Sequence, residues 1–389
     1  MVRATGVPAV GTPTASAEPS YRPTRLDSLT GLRWLAALAV FFTHLEVLAP
    51  SLVTLTWVGG CGVALFFALS GFVLAWSAPA VDTARSFYRR RVARIYPLYA
   101  VSLGLSLVVH QVWGGGARTS CLVLVAALLM VQGWFPGTPA VFFGVSTPAW
   151  SLSHEAFFYA VFPASRRISA PGTRGWLAVA VGAAVWPWLV VVAVVVTGRF
   201  EVGDAWAEML LRSPLGTIPC FVLGLALARA MRLGWRPRAS VRLAVAAVAV
   251  SVAAMMAVVT VAGNVPALQW YLLFPVTTPA FGLLLATLAA ADLDGRPTGL
   301  RSRRMLALGE WSYAFYLVHL SALVAVAGIV GAGRGVLVTL AEVGLALGLA
   351  VAVSAALYHL VERPLERVLR GTGSERLSVP TRGRAGSSR

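Results

Sequence analysis

The sequence predicts an all-α fold, a polytopic integral-membrane helical bundle of about ten transmembrane helices plus one re-entrant or broken segment. Three observations lead there. Of 389 residues, 58% are hydrophobic and only 12% charged, whereas soluble domains carry about 25% charged residues. Apolar runs long enough to span a bilayer recur along most of the length. The basic residues are all arginine, lysine being absent, and they gather in short stretches between those runs. That is what the positive-inside rule produces in cytoplasmic loops. The net charge of +17 is therefore read as a topology signal. Nucleic-acid binding is excluded, because no basic and aromatic surface module accompanies it.

Residues 1–25 are rich in Pro, Ala, Thr and Ser and read as a disordered cytoplasmic leader. No short apolar core with a cleavage site precedes residue 31, so no cleaved signal peptide is expected. Apolar segments then fall at 31–49, 57–77, 95–113, 120–135, 142–165, 176–197, 214–230, 243–262, 271–291, 308–330 and 335–361. Residues 26–366 form one membrane domain, and 367–389 read as a disordered basic cytoplasmic tail. Cys61, Cys121 and Cys220 show no paired spacing, so neither a disulfide framework nor a metal site is expected.

Arginine clusters lie at 85–94, 166–174, 229–242, 296–304 and after Glu362. Placing them all in the cytoplasm, with both termini, requires an even number of crossings between successive clusters. This works everywhere except between Arg94 and Arg166, where three apolar segments occur. Segment 142–165 is the candidate for the one that does not fully cross, because it contains Pro148, His154, Glu155 and Pro163. The short segment 120–135 is the alternative. Broken backbone at membrane depth requires cover by protein or by a wet cavity.

Polar residues inside the apolar runs are the candidate functional groups, since an ionisable side chain in hydrocarbon is costly. In "GLRWLAALAVFFTHLEV", Arg33 and His44 are eleven residues apart and return to within about 20° of one helix face, roughly 16 Å apart along the axis. In "FYRRRVARIYP", Arg91 and Arg94 share a face and can offer two guanidinium forks to one phosphorylated group; Arg89 and Arg90 are ordinary loop charge. In "PAWSLSHEAFFY", Ser151, Glu155 and Tyr159 recur at four-residue steps. In "LGEWSYAFYLVHL", Ser312, Tyr316 and His319 share a face, either lining an acceptor pocket or acting as polar glue between helices. His110 and His359 read as interfacial bystanders, and Glu362 with Arg363 as the end of the last span.

Together with "FFALSGFVL" and "VERPLE", these stretches resemble the membrane-bound acyltransferase-3 family over about residues 25–366. Its Arg–ten residues–His signature falls on Arg33 and His44. Its paired arginines fall on Arg91 and Arg94, and its Trp-Ser-Leu…Glu motif on Trp150, Ser151, Leu152 and Glu155. His154 departs from the family pattern. The resemblance implies a multi-pass cell-membrane O-acyltransferase that moves an acyl group, acetyl by default, from acyl-CoA. The acceptor would be a hydroxyl of a carbohydrate, of a glycosylated metabolite such as a macrolide antibiotic, or of a cell-envelope glycan. It further implies that Arg33, Arg91 and Arg94 hold the CoA phosphates and that His44, helped by Glu155, is the general base. Trp150, Ser151, Ser312, Tyr316 and His319 would contact substrate, and no metal is involved. A proton-coupled secondary transporter is the alternative, since a midplane histidine and glutamate on a broken segment also suit one. The absence of an internal repeat and the arginines at one mouth favour the enzyme.

Overall fold

The computed structural model describes residues 25–50, 57–79, 82–114, 119–166, 172–199, 204–262, 266–331 and 335–371. The leader and most of the tail expected at the termini lie outside them. The helices are α1 Asp27–Thr43, α2 Cys61–Ser77, α3 Ala84–Trp113, α4 Cys121–Leu128, α5 Pro139–Phe142, α6 Trp150–Ser165 and α7 Gly172–Val196. They continue with α8 Ala205–Arg212, α9 Pro214–Arg232, α10 Val241–Ala262, α11 Pro266–Leu293, α12 Arg303–Val330, α13 Val336–Leu357 and α14 Arg363–Gly371. Among the described residues, eight helices are long and apolar enough to cross a membrane, α8 and α9 counting as one. The 17-residue α2 is a further, shorter apolar helix.

Small residues bring the inner helices together. A Cβ on Gly71 of α2 would lie 1.9 Å from the Phe221 carbonyl oxygen of α9, and one on Gly224 of α9 would lie 1.8 Å from that of Ala68. Backbone thus meets backbone, which suits helices in lipid, where apolar burial offers little drive to associate. On α12, Gly309 approaches Thr30 of α1 in the same way, at 2.0 Å. Helices α7, α10 and α13 form the periphery and expose Leu189, Val196, Val250, Leu337 and Leu340, an apolar exterior suited to a bilayer.

The arginine clusters converge on one end of the bundle. Asp82 pairs with Arg90 and, at 3.5 Å, with Arg166. Arg232 donates to the Ala75 carbonyl (2.9 Å). Asp292 accepts from the Ser28 hydroxyl (2.6 Å) and lies 3.7 Å from Arg301.

Between Arg94 and Arg166 the irregular stretch of short turns runs from 129 to 149, taking in the end of segment 120–135 and the first eight residues of 142–165. Helix α4 has eight residues, about 12 Å at 1.5 Å per residue, against the ~30 Å of a hydrocarbon core. Two residues past its end, Met130 takes a left-handed φ of 55°. Its last carbonyls accept from α3: Tyr99 donates to Ala127 (2.7 Å) and Tyr96 to Leu128 (3.1 Å). Gln132 then donates to the Ala149 carbonyl, and the Gly133 amide donates to Ser153. The irregular backbone is thus satisfied by protein, as membrane depth demands. Pro148 sits in the 3-10 turn Thr147–Ala149 just ahead of α6, where its missing N–H costs nothing. The His154 and Glu155 side chains, which made the segment look interrupted, find partners on α9 and α2, and α6 runs unbroken for 16 residues.

Candidate active site

The arginine end of the bundle contains a narrow chamber of about 80 Å³ between α1, α2, α3, α6 and α12. Arg33 of α1 and Arg94 of α3 line it together with Glu155, Ser70, Ser312 and Tyr316. Among the described residues, no carboxylate lies within 4 Å of either guanidinium. Glu155 instead accepts hydrogen bonds from Ser70 (2.9 Å) and from Tyr159. Those hydroxyls satisfy the carboxylate without neutralising the arginines, so the chamber keeps a cationic wall suited to an anionic ligand. A 190 Å³ cavity at the N-terminal end of α1, with Arg25 and Trp76 in its wall, shares Arg33 with this chamber. Arg91 lies on the other side of Glu155 and Tyr159, in a 160 Å³ groove between α3 and α6. Its guanidinium stands over the Phe87 and Tyr159 rings at 5.6 and 5.8 Å.

Tyr316 closes the far end of the chamber. Its hydroxyl is 2.6 Å from that of Ser151 and donates to the Pro148 carbonyl at 2.9 Å. Beyond it opens a second cavity, of about 420 Å³, lined by His44, Glu46, Phe143, Trp150 and Phe274. His44 lies at the C-terminal end of α1, where its backbone N–H caps the last turn. Its Nδ1 is 3.1 Å from the Val40 carbonyl and 3.3 Å from Nε2 of His319. His319, fully buried and stacked on Phe315, places its own Nδ1 2.8 Å from the Tyr316 carbonyl.

This chain of contacts assigns the tautomers of a neutral pair. A carbonyl oxygen only accepts, so Nδ1 of His319 carries its proton and Nε2 is an acceptor. Nδ1 of His44, facing that acceptor and the Val40 carbonyl, must then be the donor. Nε2 of His44 is left without a proton, and such a nitrogen can take one from a hydroxyl.

An acyltransferase-domain model of the acyltransferase-3 family matches residues 26–359. The chain belongs to the acyltransferase-3 family. It is 38% identical over 336 residues to acyltransferase MdmB of Streptomyces mycarofaciens, covering 77% of this chain and 79% of that one. Nodulation protein 10 of Rhizobium leguminosarum bv. viciae is 27% identical over 372 residues, 90% and 95% of the two chains. Exopolysaccharide production protein ExoZ of Rhizobium meliloti (strain 1021) is 28% identical over 335 residues, 84% and 95%. No solved structure matches.

Within this acyltransferase-3 domain most residues expected from sequence divide between two cavities, while Arg91 lines an adjoining groove and His319, fully buried, lines neither cavity. Arg33, Arg94, Glu155, Ser151, Ser312 and Tyr316 line the first; His44, Trp150 and again Tyr316 line the second. The expected contact of Glu155 with His44 is not present. The two line different cavities, and the partner of His44 is His319. Arg91 and Arg94 share a helix face but lie in adjoining cavities, because Glu155 and Tyr159 of α6 stand between them. His154 is buried against Phe67 and Trp150 and bonds Thr217 (2.8 Å). Two lining groups were missed. Ser70 stood inside the quoted "FFALSGFVL", and Glu46 stood two residues after His44.

Proposed function

We propose that this membrane acyltransferase transfers an acyl group, by default acetyl, from acyl-CoA to a hydroxyl of a carbohydrate or glycosylated metabolite. The arginine end faces the cytoplasm, as the positive-inside rule requires. What carries the reading is one helix. Helix α1 holds Arg33 in a cationic chamber and His44 in the next cavity, eleven residues or roughly 16 Å along its axis. A donor with a phosphorylated head and a thioester at the end of a long thin arm matches that layout. Arg33 and Arg94 hold the phosphates, Arg91 adds charge from the side, and the arm threads past Tyr316 and Ser151.

In the reaction, the acceptor oxygen attacks the thioester carbonyl carbon. The new C–O bond forms as the C–S bond breaks. The hydroxyl proton passes to Nε2 of His44 and from there to the departing thiolate, which leaves as the free thiol. Glu155 acts at the donor end, where its bonds to Ser70 and Tyr159 keep it from quenching the arginines.

The relative's name, acyltransferase MdmB, supports acyl transfer, and the exopolysaccharide production named for ExoZ supports a glycan acceptor. The test is purified protein in vesicles supplied with radiolabelled acetyl-CoA and candidate glycoside acceptors. His44→Gln should lose transfer by about 10²–10⁴-fold, the usual contribution of a general base, while its thermal transition and CoA binding persist. Transfer surviving within a few-fold in a folded variant would overturn the assignment.

A further inference from the structure

A recess of about 980 Å³ lies on the other side of α1 from the two cavities, bounded by α1, α2, α10 and α11. Leu32, Leu35, Ala36 and Ala39 form its α1 wall, at the spacing of one helix face. At about 100° per residue, that face is turned roughly 120° from the one carrying Arg33 and His44. Leu35 and Val245 on its walls are exposed, so the recess opens toward the bilayer. Along α11 it runs from Ala291 to Phe281, ten residues or about 15 Å, half of the ~30 Å hydrocarbon core. That is the depth of one leaflet. Its arginine end is charged, with Arg242 and Arg296 in the wall and no carboxylate lining the recess among the described residues. No described carboxylate lies within 4 Å of Arg242. Arg296 pairs with Asp294 at 2.9 Å, but both side chains are half-exposed, and such pairs hold weakly. The pair uses one end of a guanidinium that has five N–H donors.

Two guanidiniums at the membrane edge of an apolar slot one leaflet deep suit a phospholipid with an anionic head. We infer that this recess binds an anionic phospholipid of the cytoplasmic leaflet. Its phosphate lies between Arg242 and Arg296, and an acyl chain runs along α11 toward Phe281. The planar fork of arginine can bond two phosphate oxygens at once. A zwitterionic lipid brings the same phosphate with its own cation attached, which competes with the arginines; the anionic lipid does not. The chain supplies packing where α10 stands off from α1 and α2, a role that protein contacts fill elsewhere in the bundle. Because α1 carries Arg33 and His44 on its other face, an occupied recess braces the helix on which both cavities depend. The inference stands apart from the acyl-transfer reading, which assigns nothing to this face.

Three probes test the inference: palmitoyl-oleoyl phosphatidylglycerol, phosphatidylcholine with the same chains, and chain-free glycerol 3-phosphate. The readout is the concentration giving half-maximal thermal stabilisation of the detergent-purified full chain, which needs no turnover. Phosphatidylglycerol should act at a concentration at least fivefold lower than phosphatidylcholine in the unmodified protein. The same preference should hold in Arg304→Gln, which removes an exposed arginine outside the recess. It should fall to within twofold when Arg242→Gln and Arg296→Gln are combined, and glycerol 3-phosphate should not stabilise at the lipid's concentration. Equal action of the two lipids, a preference that survives the double substitution or is lost equally in Arg304→Gln, or stabilisation by glycerol 3-phosphate at that concentration would each overturn the inference. Should the double variant fail to fold, phosphatidylglycerol with a photoreactive diazirine midway along one chain decides in the unmodified protein. Its crosslinks should fall on 35–39, 245–248 or 281–288, and labelling confined to other segments would overturn the assignment.

Discussion

The chamber at Arg33 and the cavity at His44 lie along the same helix yet are built on opposite principles. The first is small, with two guanidiniums and a carboxylate that its own hydroxyl neighbours satisfy. The second is about five times larger, aromatic, and carries a carboxyl group beside an imidazole pair. A site that binds a large anion needs fixed cations kept from internal ion pairs. A site that removes a proton needs a neutral base whose free nitrogen is fixed in advance. Putting both in one pocket would defeat each, since a nearby arginine disfavours the imidazolium that must form. Separating them by eleven residues of helix resolves the conflict.

Several substitutions test this division of labour, the largest effect being the loss of transfer in His44→Gln. Next comes His319→Leu, which removes the acceptor for Nδ1 of His44 and lets the wrong tautomer form. It should lower kcat by about 10²-fold with both substrate KM values little changed, a loss of the order of one strong hydrogen-bond partner. His319→Gln, which offers an amide oxygen, should recover part of the rate; no recovery together with raised KM values would make His319 a packing residue only.

Arg33→Ala should act on the donor side alone. Losing hydrogen bonds to a charged group costs about 1.5–3 kcal/mol, so the KM for acyl-CoA should rise about ten- to a hundredfold while the KM for the acceptor holds. A matching rise for the acceptor would join the two cavities into one site. Arg91→Lys keeps the charge but loses the planar fork over Phe87 and Tyr159. A several-fold rise in donor KM is expected there, and less than twofold for Arg89→Lys; equal effects would reduce Arg91 to a topology signal. An effect on kcat and not on donor KM belongs to the neck. Tyr316→Phe removes a hydroxyl bonded to Ser151 and Pro148 and should cost about 0.5–1.5 kcal/mol, read as a modest fall in kcat.

Much of the fold was legible because hydrocarbon imposes one-dimensional rules. Length and hydropathy recover most of the spans, and arginine placement predicts that one segment between Arg94 and Arg166 does not cross. Proline and polarity in 142–165 look alike whether a segment is interrupted or its polar groups are bonded to other side chains. Here both occur: 142–149 is broken, while His154 and Glu155 lie in the continuous α6. Thr217 and Ser70, both remote in sequence, supply bonds from other helices, and Tyr159 adds one from within α6.

Helical periodicity by itself determined that Arg33 and His44 share a stripe, and that Ser151, Glu155 and Tyr159 share another, because the α-helix fixes angle and rise per residue. Which stripe meets which was decided only by tertiary packing. Glycine contacts such as Gly309 on Thr30 and Gly224 on Ala68 set how closely the helices approach. That approach gives His44 the partner His319 rather than Glu155, and it divides the polar groups between two cavities. A partner 275 residues away in the chain leaves no trace in local periodicity, since the contact exists only where two stripes are pressed together.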